Sequence, residues 1–270
     1  MGMKINTSVS GLNAQRQAAG ASKALQTSIN KTASGLRINR AADDAAGLQA
    51  AEAFQSKIRQ YTQEVNSLQT GVNVVQTADS ALSTQQDGIN RIRELATQAA
   101  NGTLTDDQRA SLNEEAQQIV QQLDETAKNT EFNGQKLLNG STNSIDLGTE
   151  GKDTVTLNKS TAQSLGVDTV DLSTAEGAAA ALDQTDTATR QISQNRASLG
   201  AQSNRFESAI EDKQNGIINA SDSESRIRDL DFARGTVEQT SKSMLLQQAL
   251  AATTQSNLSA QSVGKLLGSF

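Results

Sequence analysis

Residues 54–82 read FQSKIRQYTQEVNSLQTGVNVVQTADSAL, with large apolar side chains at Phe54, Ile58, Tyr61, Val65, Leu68, Val72, Val75 and Leu82. Steps of four and three place them on one helical stripe, and a stripe kept up over several heptads is built to pack against another helix. Only Asp79 takes a seam position with a charge. Ile89, Ile92, Leu95 and Ala96 continue the same face toward Asn101-Gly102, a turn dipeptide that ends it.

Downstream, Thr105-Asp106-Asp107-Gln108 has the form of a capping box, so a second helix is predicted from there, carrying Leu112, Ala116, Ile119 and Leu123 on one side. The short connection makes the two helices antiparallel neighbours. Periodicity changes after Glu131. Asn133-Gly134 and Asn139-Gly140 are turn dipeptides, while Ile145, Leu147, Val155 and Leu157 alternate with polar residues around Glu150-Gly151, the pattern of a β-hairpin. A polar stretch to Thr174 leads to a further helix with Leu182, Ile192, Leu199, Phe206, Ile210 and Ile217 at heptad-related positions. Ser221 and Glu224 repeat the capping-box spacing and predict the start of a last helix through Ile227, Leu230, Val237, Met244, Leu245 and Leu258 to Phe270.

The two ends of the chain are different. Ile5, Val9, Leu12, Leu25, Ile29 and Leu36 mark a helical stripe whose middle is filled by small or polar residues such as Arg16, Ala19 and Ser22. So thin a seam does not offset the entropy of ordering the segment, which is expected to fold on assembly rather than alone. Val263, Leu266, Leu267 and Phe270 form an i, i+3, i+4, i+7 face up to the last residue. Chain ends fray unless tied down, so this end is expected to dock on the chain's own start or on neighbouring molecules.

Composition narrows the function by exclusion. The 270 residues include no Pro, Cys, His or Trp, and aromatic residues make up 2%. Scarce aromatics favour long Ala-, Leu- and Ile-lined helix seams over a compact core. The fold class is therefore mainly α: an elongated coiled-coil bundle with a small β-hairpin region and paired N- and C-terminal helices. Without His or Cys there is no His-based triad, thiol nucleophile or nitrogen/sulfur zinc site, and no Walker A loop or dinucleotide fingerprint occurs. No enzyme, cofactor or metal is expected. Asp43-Asp44 and Asp106-Asp107 read as partners of helix dipoles rather than metal ligands.

The formal charge of -6 and the scattered Lys and Arg residues argue against nucleic acid. No run reads as a cleavable signal or as a membrane span, so no membrane insertion is expected and export is expected by another route. The N-x-[ST] triplets at Asn6, Asn101 and Asn139 are what an Asn-, Ser- and Thr-rich chain produces by chance.

Ser34-Gly35-Leu36-Arg37-Ile38-Asn39, followed by Asp43-Asp44-Ala45-Ala46-Gly47, resembles the N-terminal hallmark of bacterial flagellin. Further stretches match in order: Arg91-Ile92-Arg93-Glu94-Leu95-Ala96, Thr130-Glu131-Phe132-Asn133-Gly134, Leu199-Gly200-Ala201 with Asn204-Arg205-Phe206, Ser225-Arg226-Ile227-Arg228-Asp229 and Leu246-Gln247-Gln248-Ala249. The chain departs from the family pattern at Ala260, where a proline is common, and at Phe270, where many members end in Arg.

The resemblance implies a short flagellin without variable outer domains, in three parts. Residues 1–45 form a helix of the inner filament layer plus a connector, 46–229 a rod-like helical domain with the hairpin region near 141–174, and 230–270 the C-terminal helix of the inner layer. Its function would be to polymerise into the extracellular filament used for swimming. The self-assembly interface would comprise Ile5, Val9, Leu12, Leu25, Ile29 and Leu36 with Met244, Leu258, Val263, Leu266, Leu267 and Phe270. Implied partners are further copies of the chain, the flagellar type III export apparatus, an export chaperone, the filament cap and a host innate immune receptor. The last would read Arg91, Leu95 and Glu115, whose other role is inter-subunit packing. The alternatives are a hook-filament junction protein, present in few copies, or a secreted coiled-coil binding or adhesion protein that stays monomeric or forms a small closed oligomer.

Overall fold

The computed structural model describes residues 9–148 and 153–267, without the side chains of 260 and 263–267. Ile5, Phe270 and the loop at Glu150-Gly151 lie outside the described residues, as do the side chains of Val263, Leu266 and Leu267. The order of elements is α1 (Val9–Ser34), α2 (Ala45–Ala99), α3 (Asp106–Asn129), β1 (Glu131–Phe132), β2 (Gln135–Lys136), β3 (Ser144–Asp146), β4 (Thr154–Thr156), α4 (Ala162–Leu165), α5 (Ala175–Arg228) and α6 (Phe232–Leu267). They form two compact units, a terminal one of residues 1–58 and 218–270 and a middle one of residues 59–217.

The middle unit holds a continuous apolar core. Its α2 stripe is buried from Leu68 through Val72, Val75 and Leu82 to Ile89, Ile92, Leu95 and Ala99, against Ala116, Val120, Leu123 and Ala127 of α3 and Ala181, Ala188, Ile192, Leu199 and Phe206 of α5. Asp79, the charge in the seam, is held by Arg196 at 2.7 Å. The turn between α2 and α3 is organised by side chains. Thr105 and Gln108 make both bonds of the capping box. The buried Arg109 guanidinium donates to the carbonyls of Ala99 and Asn101, occupying acceptors that the end of α2 leaves free. Gln85 is a buried polar residue within the stripe. It donates to the Leu123 and Ser160 carbonyls and accepts from the Ser160 hydroxyl at 2.6 Å, so no polar atom of its carboxamide is wasted.

Two short antiparallel hairpins follow α3. In β1–β2 the connection is Asn133-Gly134, with φ of 49° and 79°, the positive values that a two-residue type I′ turn demands. The predicted hairpin is β3–β4, in which the structure pairs Ile145 with Val155. The stretch up to Thr174, read as a polar linker, instead carries core residues. Val167, Val170 and Leu172 are buried, and Asn113 and Gln117 of α3 bond the backbone of Leu172 and Val170.

The predicted helix start at Ser221 is not found, because α5 runs unbroken to Arg228. Neither glycine nor proline stops the chain there, so a Ser/Glu pair at capping distance sits inside a helix. The break falls at Asp229–Asp231, and Asp231 caps α6 by accepting the Arg234 N–H at 3.2 Å. Leu36 is likewise off the first helix. α1 stops at Ser34 because Gly35 has φ +70°, and Leu36 pairs as an isolated bridge with Asp229.

Candidate self-assembly interface

The terminal unit is organised around the connector after α1. Leu36 and Asp229 are joined on both sides: Arg37 N–H donates to the Arg228 carbonyl at 2.7 Å, and Leu230 N–H donates to the Gly35 carbonyl at 2.9 Å. The Arg37 guanidinium adds a 2.6 Å bond to the Ile227 carbonyl, closing the C-terminus of α5. Thus the stretches 34–39 and 225–229, 190 residues apart, are each other's partners.

Asp43 holds the connector in shape. Its carboxylate accepts the Asn39 and Arg40 N–H groups at 3.2 and 3.1 Å and faces the Lys31 ammonium of α1 at 3.5 Å. The Asn39 and Arg40 bonds and the lysine charge hold its pKa below the ordinary aspartate value, against the opposing effect of burial. Asp44 caps α2 by accepting the Gly47 N–H. Gly47 itself has no room for a side chain, since a Cβ would lie 2.7 Å from Ile38 Cδ1, and Ile38 is the most deeply buried large side chain of the connector. Both acids thus accept backbone N–H groups at the start of α2 and before it, and Asp106 pairs with Arg109.

α1 packs on α6. Their seam is built of small groups. Ala14, Ser28 and Ala249 are the buried residues of the two helices apart from Gly235, and Ser10 and Ser256 exchange a hydroxyl hydrogen bond. Leu25 and Ile29 are half-buried, Val9 and Leu12 exposed. On α6, Phe232, Val237, Met244, Leu245, Leu250 and Leu258 are all about half exposed or more. They are spread over several faces of α6 between polar residues rather than gathered on one stripe, as suits a helix with partners on more than one side. Among the described residues, every large hydrophobic side chain found exposed belongs to the terminal unit, Ile218 of α5 completing the set.

Of the predicted interface residues, Val9, Leu12, Met244 and Leu258 are on this exposed surface. Leu25 and Ile29 face the α1–α6 seam, and Leu36 lies in the connector. Sequence reasoning missed Phe232, Leu250 and Ile218 and did not place Val237 and Leu245 in the interface. The signal was available in the spread of apolar residues around the last helix, which a search for one stripe passes over.

Arg91 and Glu115 are brought together on the surface of the middle unit by a 2.7 Å ion pair, with Glu94 as a second partner of the arginine. Hydrogen bonding to Glu115 first, then to Glu94, raises the guanidinium pKa above its ordinary value. Leu95 does not join them. It is 1% exposed and belongs to the core. Four residues after Arg91 on the helix, Leu95 continues the buried stripe of Ile92 and Ala96 rather than the solvent face.

The pattern of the bacterial flagellin N-terminal helical region matches residues 5–143, and that of the flagellin C-terminal helical region residues 182–267. A flagellin of Halalkalibacterium halodurans is 35% identical over 271 residues, covering 98% of this chain and all of the relative. A flagellar filament 33 kDa core protein of Treponema phagedenis is 35% identical over 289 residues, with 98% and 100% coverage. A solved structure assigned as a flagellar hook-associated protein of Vibrio parahaemolyticus superposes with a TM-score of 0.52 over 70% of this chain and 98% of the other. At 14% identity it bears on the fold alone. With both family patterns in order and relatives matched from end to end, the chain belongs to the bacterial flagellin family, as a structural subunit of the flagellar filament and not an enzyme.

Proposed function

We propose that the terminal unit supplies the contacts through which copies of this chain polymerise. Residues 1–45 and 230–270 then form the inner helical layer of the filament, and residues 46–229 a rod-like helical domain with the hairpin region near 141–174. The single observation behind this reading is the segregation of exposed apolar side chains. A soluble chain that leaves Phe232, Val237, Met244, Leu245 and Leu258 in water on one unit has a use for them. Repeating the same heterologous contact builds an open helical polymer rather than a closed ring. The small-residue seam of α1 and α6 gives the pair little stability of its own, so assembly completes its fold.

By family resemblance the chain is a substrate of the flagellar type III export apparatus. A chaperone covers the C-terminal segment before export, and subunits are added beneath a cap at the distal tip outside the cell. A host innate receptor would meet the Arg91–Glu115 pair at the surface, with Leu95 acting through the core beneath it. Loss of signalling in Arg91→Ala, with monomer fold intact, is the expected result for that contact.

Assembly is tested by seeding purified chain and following filaments by electron microscopy, alongside a version lacking residues 263–270. The intact chain should elongate seeds and the shortened one should not. Equal polymerisation of both, or a closed oligomer in place of filaments, would overturn the proposal. Recovery of only a few copies per sheared filament would favour the junction-protein alternative.

A further inference from the structure

Four Asn-Gly dipeptides occur in the chain, at Asn101, Asn133, Asn139 and Asn215, and the fold treats them in three different ways. Asn215-Gly216 is inside α5, where helical backbone geometry and the Gly216 hydrogen bond hold the peptide nitrogen in place. Asn133-Gly134 forms the tip of the β1–β2 turn. The other two share a motif. The Asn101 side-chain oxygen accepts the Thr103 N–H at 3.1 Å and the Thr103 hydroxyl at 2.9 Å. The Asn139 oxygen accepts the Ser141 N–H at 2.8 Å and the Ser141 hydroxyl at 2.7 Å. Both lie in N-x-[ST] triplets, a pattern this Asn-, Ser- and Thr-rich chain also produces elsewhere.

We infer that Asn101-Gly102-Thr103 and Asn139-Gly140-Ser141 are self-modifying sites, at which the asparagine converts to aspartate and isoaspartate. In the first step the glycine backbone nitrogen attacks the side-chain carbonyl carbon Cγ, forming a C–N bond. The tetrahedral intermediate then breaks its bond to the side-chain nitrogen, which leaves as ammonia with the proton given up by the glycine nitrogen, carried through water. One water molecule opens the resulting five-membered imide at either carbonyl, giving aspartate or isoaspartate. No oxidant, reductant or cofactor is required.

The motif assists the slow step in two ways. Negative charge develops on the side-chain oxygen during attack, and the oxygen already holds an N–H and an O–H donor, the arrangement that stabilises a tetrahedral oxyanion. Folding the side chain back over the following two residues also brings its carbonyl against the glycine nitrogen. Access ranks the two sites. A Cβ at Gly102 would meet nothing within 4 Å, whereas one at Gly140 would come within about 3.0 Å of the Lys159 stem. Asn101 therefore reacts ahead of Asn139. Each conversion adds a negative charge to the middle unit, which already holds 12 basic and 22 acidic residues.

The test uses the full-length chain, incubated as monomer and as filament in warm, mildly alkaline buffer. Conversion at each site is read by peptide mass spectrometry, with enzymatic labelling of isoaspartate. The expected order is Asn101, Asn139, Asn133, then Asn215. Thr103→Val keeps the N–H and removes the hydroxyl, and should slow Asn101 about 3- to 10-fold. That is well short of the ~10²-fold loss seen when a donor leaves a water-excluded oxyanion hole. Thr103→Ser should retain the rate, and Ser141→Ala should slow Asn139 alone. In denaturant the lead of Asn101 and Asn139 over Asn133 should vanish. Asn133 reacting as fast as Asn101 in the folded chain, or an unchanged Asn101 rate in a folded Thr103→Val variant, would overturn the inference.

Discussion

Phe206 and Phe232 are the same residue in opposite circumstances. The first is fully buried in the core of the middle unit, and the second is 64% exposed at the start of α6 in the terminal unit. The contrast extends to the whole of each unit. The middle one buries a continuous run of large side chains from Leu68 to Phe206. The terminal one buries mostly alanine, with Ile38 as its one large buried side chain among the described residues, and leaves Val9, Leu12, Ile218 and six large hydrophobics of α6 exposed. Charge divides the same way. The terminal unit carries 12 basic and 8 acidic residues, +4, and the middle unit 12 and 22, −10. One unit is finished as a monomer, and the other has the composition of an unfinished interface. A net charge of −10 opposes association of the middle unit by self-repulsion, and the +4 of the terminal unit opposes it less.

The sharpest way to break this comparison is to exchange the outcomes of two substitutions. Phe206→Ala should cost about 3–5 kcal/mol of monomer stability in urea titration, because it opens a cavity among Gly71, Leu147 and neighbouring core groups. A loss under 1 kcal/mol would mean the middle unit is not independently packed. Leu245→Ser should leave the monomer melting curve nearly unchanged while weakening polymerisation. Losing the burial of one leucine, about 1.5–3 kcal/mol, raises the critical concentration in sedimentation assays about 10-fold or more. Unimpaired assembly would show that this side of α6 stays exposed.

Gly47→Ala probes the connector. The added methyl meets Ile38 and Asp44, an overpacking expected to cost about 1–3 kcal/mol, read as earlier loss of helix signal on heating. The gentlest perturbation is acid. The folded-state pKa of Asp43 is depressed, so its contribution is fully present above the unfolded-state value and is lost as pH falls through the lower folded one. Proton uptake at Asp43 would release the Asn39 and Arg40 N–H groups and the Lys31 ammonium. Asp43→Asn should therefore flatten the acid limb of a stability-against-pH curve without moving its neutral portion upward. An acid limb identical in the variant and the parent would remove Asp43 from that role.

Much of the middle unit was legible because its signals are local. Heptad spacing from Phe54 to Leu82, the Thr105–Gln108 capping box and the alternation around Ile145 and Val155 each follow from backbone geometry over a few residues. Other features depended on what the chain meets at a distance. The Ser221–Glu224 pair has the spacing of a cap but lies within α5, while the true break at Asp229 is shaped by Leu36 and Arg37. Gln85 looks like a surface glutamine in sequence, yet Leu123 and Ser160 supply acceptors and a donor that make it a buried one. Leu95 entered the receptor reading only through the family resemblance, while its place on the Ile89–Ala96 stripe already pointed to the core in which the structure buries it.

By itself the sequence determined the helical class, the want of histidine and cysteine chemistry, the alternation of the hairpin strands and the two motif stretches flanking the core. These follow from residue chemistry and from periods of 3.6 and 2 that any segment carries with it. Tertiary structure alone decided that stretches 34–39 and 225–229 join through backbone hydrogen bonds, and that the apolar residues of α6 remain uncovered. Both depend on which segments meet across the fold, and pairing between residues some 190 positions apart leaves no periodic trace in either segment.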